Sequence, residues 1–278
     1  MKRIKFSNLL IWAFILIACF AALFPIYVMV SGSMKSSQEL ALNSYGLPSA
    51  FSLENYKRLG SYNSGIILRT YLNSIFITGA HTAIAIFLSA LAAYAFSKFR
   101  FRGRNALFVM LLSTMMIPFE LTIPPLYSIF SKIGWMNTYR IQILPFTANV
   151  FAMFMMKQYM ESIPDSIIEA ARIDGAGEWK CFTRIMLPAA RPAIGASTIL
   201  VALAKFNDYL WPSTVVTDQT LSPIMTVLPT LNEEGALWYV PKELVLTGCT
   251  IVIIPLLILF VVFQDQFVNS VTIGAVKE

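Results

Sequence analysis

The sequence predicts an all-α integral membrane protein with about six transmembrane helices and one polar cytoplasmic loop. Of its 278 residues 57% are hydrophobic and 13% are charged, which is roughly half the charged fraction of a soluble domain. Apolar runs recur at the length of about 20 residues that a helix needs to cross a bilayer. Lysine and arginine cluster between these runs. The net charge of +6 therefore indicates membrane topology, and we expect a lipid bilayer and no nucleic acid as partner.

The first predicted span follows the basic residues Lys2, Arg3 and Lys5. The chain then continues without a charged residue as far as Lys35. A cleaved signal peptide has an apolar region of only about 7 to 15 residues. We therefore interpret residues 9–31 as a retained transmembrane helix.

Five further stretches complete the predicted set of spans. A helix satisfies every backbone group internally, which is what hydrocarbon requires of a spanning segment. Three stretches qualify by hydropathy alone, at residues 70–97, 105–131 and 244–264. Two are weaker because charged residues lie within or close to them, at residues 139–157 and 190–212.

The distribution of basic residues favours six spans over four. With six spans, 13 of the 21 lysine and arginine residues lie in cytoplasmic segments and 7 in external ones. With four spans the balance inverts, against the tendency of basic residues to remain in the cytoplasm. The sequence thus predicts one membrane domain over residues 1–278 with both termini in the cytoplasm.

The loop at residues 158–189 is too polar to span and is patterned as two short helices. Ser162 and Asp165 have the spacing of a capping box, with Pro164 in the first helical turn. Gly175 suits the left-handed position that closes a helix. A second helix is predicted from Glu178 to about Met186.

One face of the first short helix could contact a partner. Ile167, Ala170, Ala171 and Asp174 share that face by helical spacing, and adjacent alanines let another backbone approach closely. The pattern alone leaves two interpretations open. The loop either docks a partner or is an ordinary amphipathic segment that lies on the membrane or against its own helices.

The residues of this loop resemble the signature loop of ATP-binding-cassette importer permeases. The match comprises Glu169, Ala170, Ala171, Gly175 after three residues, and, after nine more, Ile185, Leu187 and Pro188. The resemblance extends along nearly the whole chain and is greatest to the sugar-uptake branch, of the type of the shorter maltose permease subunit. Supporting stretches lie at residues 101–105, 117–127, 134–138, 207–212 and 274–277.

This resemblance implies a transport subunit in a bacterial cytoplasmic (inner) membrane. Its partners would be a dimer of ATPase subunits, a second permease subunit and an extracytoplasmic solute-binding protein. The substrate would be a sugar, an oligosaccharide or a related polyol. The implied ATPase-coupling residues are Glu169, Ala170, Ala171, Asp174, Gly175, Ile185, Leu187 and Pro188.

The chain itself is not expected to be an enzyme. It contains no Gly-Lys dipeptide, which a phosphate-binding loop for ATP requires. Cys19, Cys181 and Cys249 are too far apart for a metal or redox motif, and His81 is the only histidine. We therefore expect no cofactor and no metal, and ATP hydrolysis in a separate subunit.

Polar and aromatic residues within the spans are candidates for the translocation path, because ionisable groups in a membrane usually face a cavity or a partner. Lys205 and Asp208 either line the path or neutralise each other, and the aromatic side chains either contact sugar or form an interfacial belt. His81 is expected to make a packing hydrogen bond. The candidates are Glu120, Lys205, Asn207, Asp208, Tyr209 and Trp211, with Phe206, Trp238 and Tyr239 as further aromatic contacts.

Two other classes of function remain to be compared. An ion-coupled secondary transporter would use Lys205, Asp208 and Glu120 as carriers, although the patterned loop argues against it. An intramembrane enzyme would need paired carboxylates, a metal-ligand set or a nucleophile with a base, and the spans show no such arrangement.

Overall fold

All regular secondary structure in the described chain is helical, as the sequence predicts. A computed structural model describes the backbone of residues 6–231 and 241–275, and the side chains of residues 10–231 and 241–266. The first eight helices are α1 Phe6–Ser33, α2 Ser37–Leu42, α3 Glu54–Ser61, α4 Ile66–Lys98, α5 Arg104–Thr114, α6 Phe119–Lys132, α7 Tyr139–Ile143 and α8 Val150–Ser162. The rest are α9 Asp165–Ile173, α10 Glu178–Lys180, α11 Leu187–Ala189, α12 Arg191–Phe206, α13 Leu210–Val215, α14 Ile224–Val227 and α15 Lys242–Ala275.

Three helical segments of the described chain are long and apolar enough to cross a membrane. They are Leu10–Ser33, Glu54–Lys98 and Lys242–Gln266. They overlap the first, second and last spans predicted from the sequence. The apolar runs of α1, α4 and α15 give this result. In the second segment, residues 54–65 are mostly polar, and the left-handed residues Asn63 and Ser64 separate α3 from α4.

Two further candidate spans are sharply bent. The axes of α5 and α6 differ by 94°, and those of the segment Glu178–Ala189 and α12 differ by 78°. The first break divides the span predicted at residues 105–131, and α6 begins directly after Pro118. A proline lacks the N–H that a continuing helix would need.

The fourth predicted span, at residues 139–157, is not one continuous helix. Its residues are divided between α7 and α8, and Pro145 and Phe146 lie between them. Phe146 has a φ of +66°, which no continuous right-handed helix accommodates. The 13 residues of α8 extend only about 20 Å at 1.5 Å per residue. The division therefore has a local cause at Pro145, and the count of six spans stays a prediction.

One compact unit of the chain comprises Thr70–Thr226 and Pro255–Glu278. Its larger core forms where α4, α8, α9 and the helical segment after Gly177 pack together. The fully or nearly fully buried side chains there include Tyr94, Met156, Met160, Ile168, Phe182 and Met186. A smaller core surrounds Trp211, which packs with Ile141, Val215 and Val216.

Helix α4 is tied to other segments of this unit near both of its ends. Towards its N-terminus, the Asn73 side-chain amide donates to the carbonyl oxygens of Thr220 and Ser222, at 2.9 and 3.1 Å. The Ser74 hydroxyl accepts a hydrogen bond from the Ile224 N–H at 2.8 Å. At its C-terminus, the Lys98 ammonium donates to Asp165 Oδ1 at 2.6 Å.

The other compact unit comprises Met1–Arg69 and Val227–Ile254. The Lys35 side chain is buried there, and its ammonium donates to the carbonyls of Asn43 and Gly46, both at 2.7 Å. The Glu243 carboxylate is also buried and accepts from Ser37 Oγ at 2.6 Å and from Arg58 Nη1 at 3.3 Å. Buried charges need such partners, so these contacts fix the 33–69 segment against the start of α15.

Candidate coupling loop and translocation-path residues

Helix α9 presents an exposed face that includes three of the four residues predicted to share it. Ile167 is 46% exposed, and Ala170 and Asp174 are also exposed. Ile173, which is not among the predicted contact residues, is 87% exposed. Ile167, Ala170 and Ile173 together make part of this exposed face apolar.

The opposite face of α9 anchors the loop to the core. Ile168 is 1% exposed, and Ala171 packs against the same core cluster. The prediction that Ala171 shares the exposed face is therefore wrong. Residues three apart lie on one side of a helix. Ala171 therefore lies on the same side as the buried Ile168 and faces the core.

The predicted capping box is also wrong. Ser162 is the last residue of α8, and its hydroxyl donates to the Tyr159 carbonyl at 2.7 Å. No side chain caps α9 at Pro164. Asp165 instead accepts a hydrogen bond from Lys98, because the α4 terminus lies close enough to supply a buried ammonium group.

Gly175 closes α9 as predicted. Its φ is +79°, and the N–H of Ala176 donates to the Ala171 carbonyl at 2.9 Å. This hydrogen bond across a left-handed residue satisfies a carbonyl that the helix end would otherwise leave unpaired.

The second helical segment of the loop runs further than predicted. It extends from Glu178 to Ala189 and includes Pro188, whereas the sequence predicts an end at about Met186. A π-helical turn over Cys181–Met186 precedes α11, where Pro188 occupies the first turn. Pro188 has no N–H to donate to the preceding turn, and the π-helical turn before it departs from the regular α-helical hydrogen bonding at that place. The segment therefore continues through the proline.

The remaining predicted coupling residues divide into exposed and packed groups. Glu169, Gly175 and Pro188 are exposed, while Ile185 and Leu187 are half-buried against the core. The signature of the loop therefore combines residues that can contact a partner with residues that hold the loop in place.

Sequence reasoning missed a hydrogen-bonded cluster that joins the two halves of the loop to α4. The Arg172 guanidinium donates to both oxygens of Glu178, from Nε at 2.7 Å and from Nη2 at 3.2 Å. The Tyr94 hydroxyl donates to Glu178 Oε2 at 3.0 Å. Opposite charges on either side of the Gly175 turn could have suggested the ion pair. Nothing in the sequence pattern points to Tyr94.

Two carboxyl groups of the loop have altered acidity. The pKa of Glu178 is held below its ordinary value, chiefly by the hydrogen bond from Arg172 and also by the one from Tyr94. The pKa of Asp165 is lowered chiefly by the hydrogen bond from Lys98 and by its charge. A hydrogen-bond donor stabilises the ionised carboxylate and therefore lowers the pKa of the carboxyl group.

Among the translocation-path candidates, Lys205 and Asp208 form an ion pair. The Lys205 ammonium lies 2.9 Å from Asp208 Oδ2, one turn along the chain, and the other oxygen of Asp208 accepts from the Trp211 N–H at 3.3 Å. Their side chains are only 7% and 19% exposed. The geometry favours mutual neutralisation over a lining role.

Trp211 is completely buried and has no surface with which to contact a substrate. Its indole N–H donates to the Ile141 carbonyl at 2.8 Å, and the rings of Phe130 and Phe146 pack edge-on against it. His81 is similarly buried, and its Nδ1 is 2.8 Å from the Ile143 carbonyl. The packing hydrogen bond predicted for His81 is thus present.

The other path candidates lie at the surface of the described chain. Glu120, in the first turn of α6, Asn207 and Tyr209 are all exposed. The Asn207 amide donates to the Leu203 carbonyl at 3.0 Å. Trp238 and Tyr239 lie outside the described residues.

An apolar cavity of about 580 Å³ lies within the Thr70–Thr226 and Pro255–Glu278 unit. One face of α4 from Ile75 to Ala90 supplies half of its lining, and Leu187 of the loop contributes to it. Residues of α12 and α15 complete the wall, among them Phe206 and Pro255.

Comparison with known proteins identifies the family of this chain. Residues 85–273, more than half of the sequence, match the family described as the binding-protein-dependent transport system inner membrane component. The chain belongs to this family. It is therefore a permease component of a transport system, and an inner-membrane protein, as the resemblance of its loop implied.

Relatives match the permease along its full length. It is 34% identical to the arabinooligosaccharides transport system permease protein AraQ of Halalkalibacterium halodurans, over the whole of both chains. It is 31% identical to the sn-glycerol-3-phosphate transport system permease protein UgpE of Brucella abortus, over 95% of each chain. Both relatives are named as transport components and not as enzymes.

A solved structure has the same fold. The permease superimposes with a TM-score of 0.83 and 26% identity on a chain of a bacterial transporter of the ATP-binding-cassette class that imports the acidic polysaccharide alginate. The match covers 96% of this chain and 98% of that one. The all-helical fold is thus that of an importer permease.

Proposed function

We propose that this permease is one of two membrane-spanning subunits of an ATP-driven importer for an oligosaccharide or a related polyol. The observation that carries the proposal is the 34% identity to an arabinooligosaccharide permease over the whole of both chains. The likeness to an alginate importer supports the same substrate class. The glycerol phosphate permease among the relatives extends it to polyol derivatives.

The exposed face of α9 is the proposed contact with the ATPase subunit. It offers Ile167, Ala170 and Ile173, with Glu169 and Asp174 beside them, while Ile168 holds the opposite face in the core. Apolar side chains flanked by charges on a fixed scaffold suit a groove of complementary shape. Gly175 fixes the direction in which the chain leaves this face.

The membrane topology completes the proposal. Six spans with both termini in the cytoplasm would put the 158–189 loop on the same side as the ATPase. A second permease subunit would close the path, and a solute-binding protein would deliver the substrate from outside. Glu120, Asn207 and Tyr209 remain candidates for substrate contact because they are exposed.

The ion-coupled alternative has less support. Lys205 and Asp208 already neutralise each other at 2.9 Å, and a carrier would need at least one of them to exchange a proton or an ion during transport. In this structure the two charged groups bind each other instead.

The proposal is tested by reconstitution. The permease, its second permease, the ATPase subunits and the solute-binding protein are placed in proteoliposomes, and ATP hydrolysis and uptake are measured with a neutral arabinooligosaccharide, an acidic oligosaccharide and glycerol phosphate. We expect one of these classes to stimulate both activities. Uptake that follows a proton gradient and ignores ATP would contradict the proposal.

A matched pair of variants tests the docking face. Ala170→Trp places a large ring on the exposed face of α9, whereas Ala106→Trp adds the same bulk at an exposed position of α5. Only the first should weaken the copurification of the ATPase subunits. Equal effects would place the contact elsewhere.

A further inference from the structure

Helix α4 touches the loop through one stripe of side chains. Phe87, Tyr94 and Lys98 are spaced by seven and four residues, which places them on one side of a helix. Each contacts the 158–189 loop. The Phe87 ring lies edge-on to Trp179 at 6.4 Å, the Tyr94 hydroxyl donates to Glu178, and Lys98 donates to Asp165.

Tyr94 is the central contact of this stripe. Its side chain is 4% exposed, and its ring packs against Phe99 and Phe182 at 5.4 Å each. The hydroxyl reaches the same carboxylate that Arg172 holds with two hydrogen bonds. One phenol group therefore connects α4 to residues on both sides of the Gly175 turn.

The same helix lines the apolar cavity. Residues from Ile75 to Ala90 on one face of α4 form half of the cavity wall, and Phe87 belongs both to this wall and to the contact with Trp179. Leu187 of the loop also reaches the cavity. A displacement of the loop would therefore act directly on α4, the helix that forms half of the cavity wall.

We propose that Tyr94 is a positioning residue that fastens the coupling loop to α4, so that the loop and the cavity-lining helix move as one body. The hydroxyl restrains Glu178, and Glu178 restrains Arg172 at the end of α9. Movement that an ATPase imposes on α9 then reaches α4 with little loss. This inference rests on the proposed function for the source of the movement.

Distance measurements between the loop and the helix test this directly. Nitroxide labels are attached at Ser166→Cys in α9 and Ala83→Cys in α4, in the complete transporter with Cys19, Cys181 and Cys249 replaced by alanine. We expect one narrow distance that is the same without nucleotide and with ATP. With Tyr94→Phe the distribution should broaden and shift on ATP binding, because the aromatic packing remains and only the hydroxyl is lost.

A matched control removes another hydroxyl that holds α4. The Tyr139 hydroxyl donates to Asn73 Oδ1 at 2.8 Å, at the far end of the helix from the loop. Tyr139→Phe should leave the narrow distance unchanged. A distribution in Tyr94→Phe as narrow and as constant as in the parent protein would overturn the proposal, as would an ATP-dependent change in the parent itself.

Transport provides a second readout that a loss of folding does not imitate. With Tyr94→Phe, uptake per ATP hydrolysed should fall by about tenfold or more, since a hydrogen bond to a charged group alters an equilibrium by at least about that factor. The ATPase subunits should still copurify. A proportional loss of uptake and hydrolysis would indicate only disrupted assembly and would count against a positioning role.

The two proposals can fail separately. If no carbohydrate or polyol stimulates ATP hydrolysis in the parent transporter, the substrate proposal fails. The label distances without nucleotide still decide whether Tyr94 holds the loop to α4, because they require no substrate.

Discussion

The ammonium group of Lys205 and the carboxylate of Asp208 form an ion pair of 2.9 Å in which both side chains are largely buried. Replacing either residue alone, as in Lys205→Met or Asp208→Asn, leaves one uncompensated charge. Such a change should lower the free energy of unfolding by on the order of 3 kcal/mol. The double variant should recover much of that loss, because neither charge remains. Denaturant unfolding in detergent of the parent and the three variants measures the coupling, and additive losses would show that the pair is not a unit.

The ion pair between Arg172 and Glu178 predicts that the stability of the folded protein depends on pH. The folded-state pKa of this carboxyl is lowered, so its contribution to stability is complete above the unfolded pKa of about 4.3 and is lost as the pH falls through the lower folded value. The difference in melting temperature between the parent and Glu178→Gln should therefore be greatest near neutral pH and shrink in strongly acidic buffer, and it should be small because both side chains of the pair are partly exposed. Glu169→Gln, on the exposed face of α9, serves as control. A difference that grows on acidification would contradict the assignment.

Substitutions at Gly175 should destabilise the protein through backbone strain and not through steric clashes. A Cβ added there meets no atom within 4 Å, but the φ of +79° disfavours any L side chain. Gly175→Ala should cost about 1 kcal/mol of stability, and Gly175→Trp should also abolish transport while membrane insertion remains intact. The matched control is Gly177→Ala, since Gly177 has an ordinary φ of −69° and equally open surroundings. Normal uptake by Gly175→Trp would contradict the coupling role.

Trp211 should behave as a core residue and not as a sugar contact. Trp211→Phe loses the hydrogen bond to the Ile141 carbonyl and should lower stability by about 1 kcal/mol, whereas Trp211→Ala should cost about 3–5 kcal/mol. The KM for uptake should not change with Trp211→Phe, because the ring is completely buried. Tyr209→Phe, at an exposed side chain, provides the comparison. A raised KM for Trp211→Phe at unchanged stability would place the ring on the substrate path.

The sequence predicts the long helices well because their signal is local. Uninterrupted apolar runs give α1, α4 and α15. The left-handed Gly175 is predicted for the same reason, since one residue type determines it. Residues 139–157 are harder to predict. Their average hydropathy indicates one span, but the run contains Pro145 and is divided between α7 and α8 in the structure.

The contacts of the loop depend on partners that are distant in sequence. Lys98 replaces the predicted capping box at Asp165 from 67 positions away, and Tyr94 reaches Glu178 from 84 positions away. Periodicity within α9 identifies an amphipathic helix but does not tell which face turns inward. The helical spacing therefore puts Ala171 with Ala170, whereas in the structure Ala171 packs with Ile168 against the core and Ala170 is exposed.

The ties at both ends of α4 restrict the kinds of motion open to it. Asn73 and Ser74 fasten the beginning of the helix to residues 220–224, and Lys98 fastens its end to α9. A helix held by hydrogen bonds near both ends is restrained from sliding along its own axis. It can tilt about the first attachment, twist or bow, and each of these changes the width of the space beside it. We therefore expect movement of α9 to tilt or twist α4 about its attachment at Asn73, and not to shift the helix lengthwise.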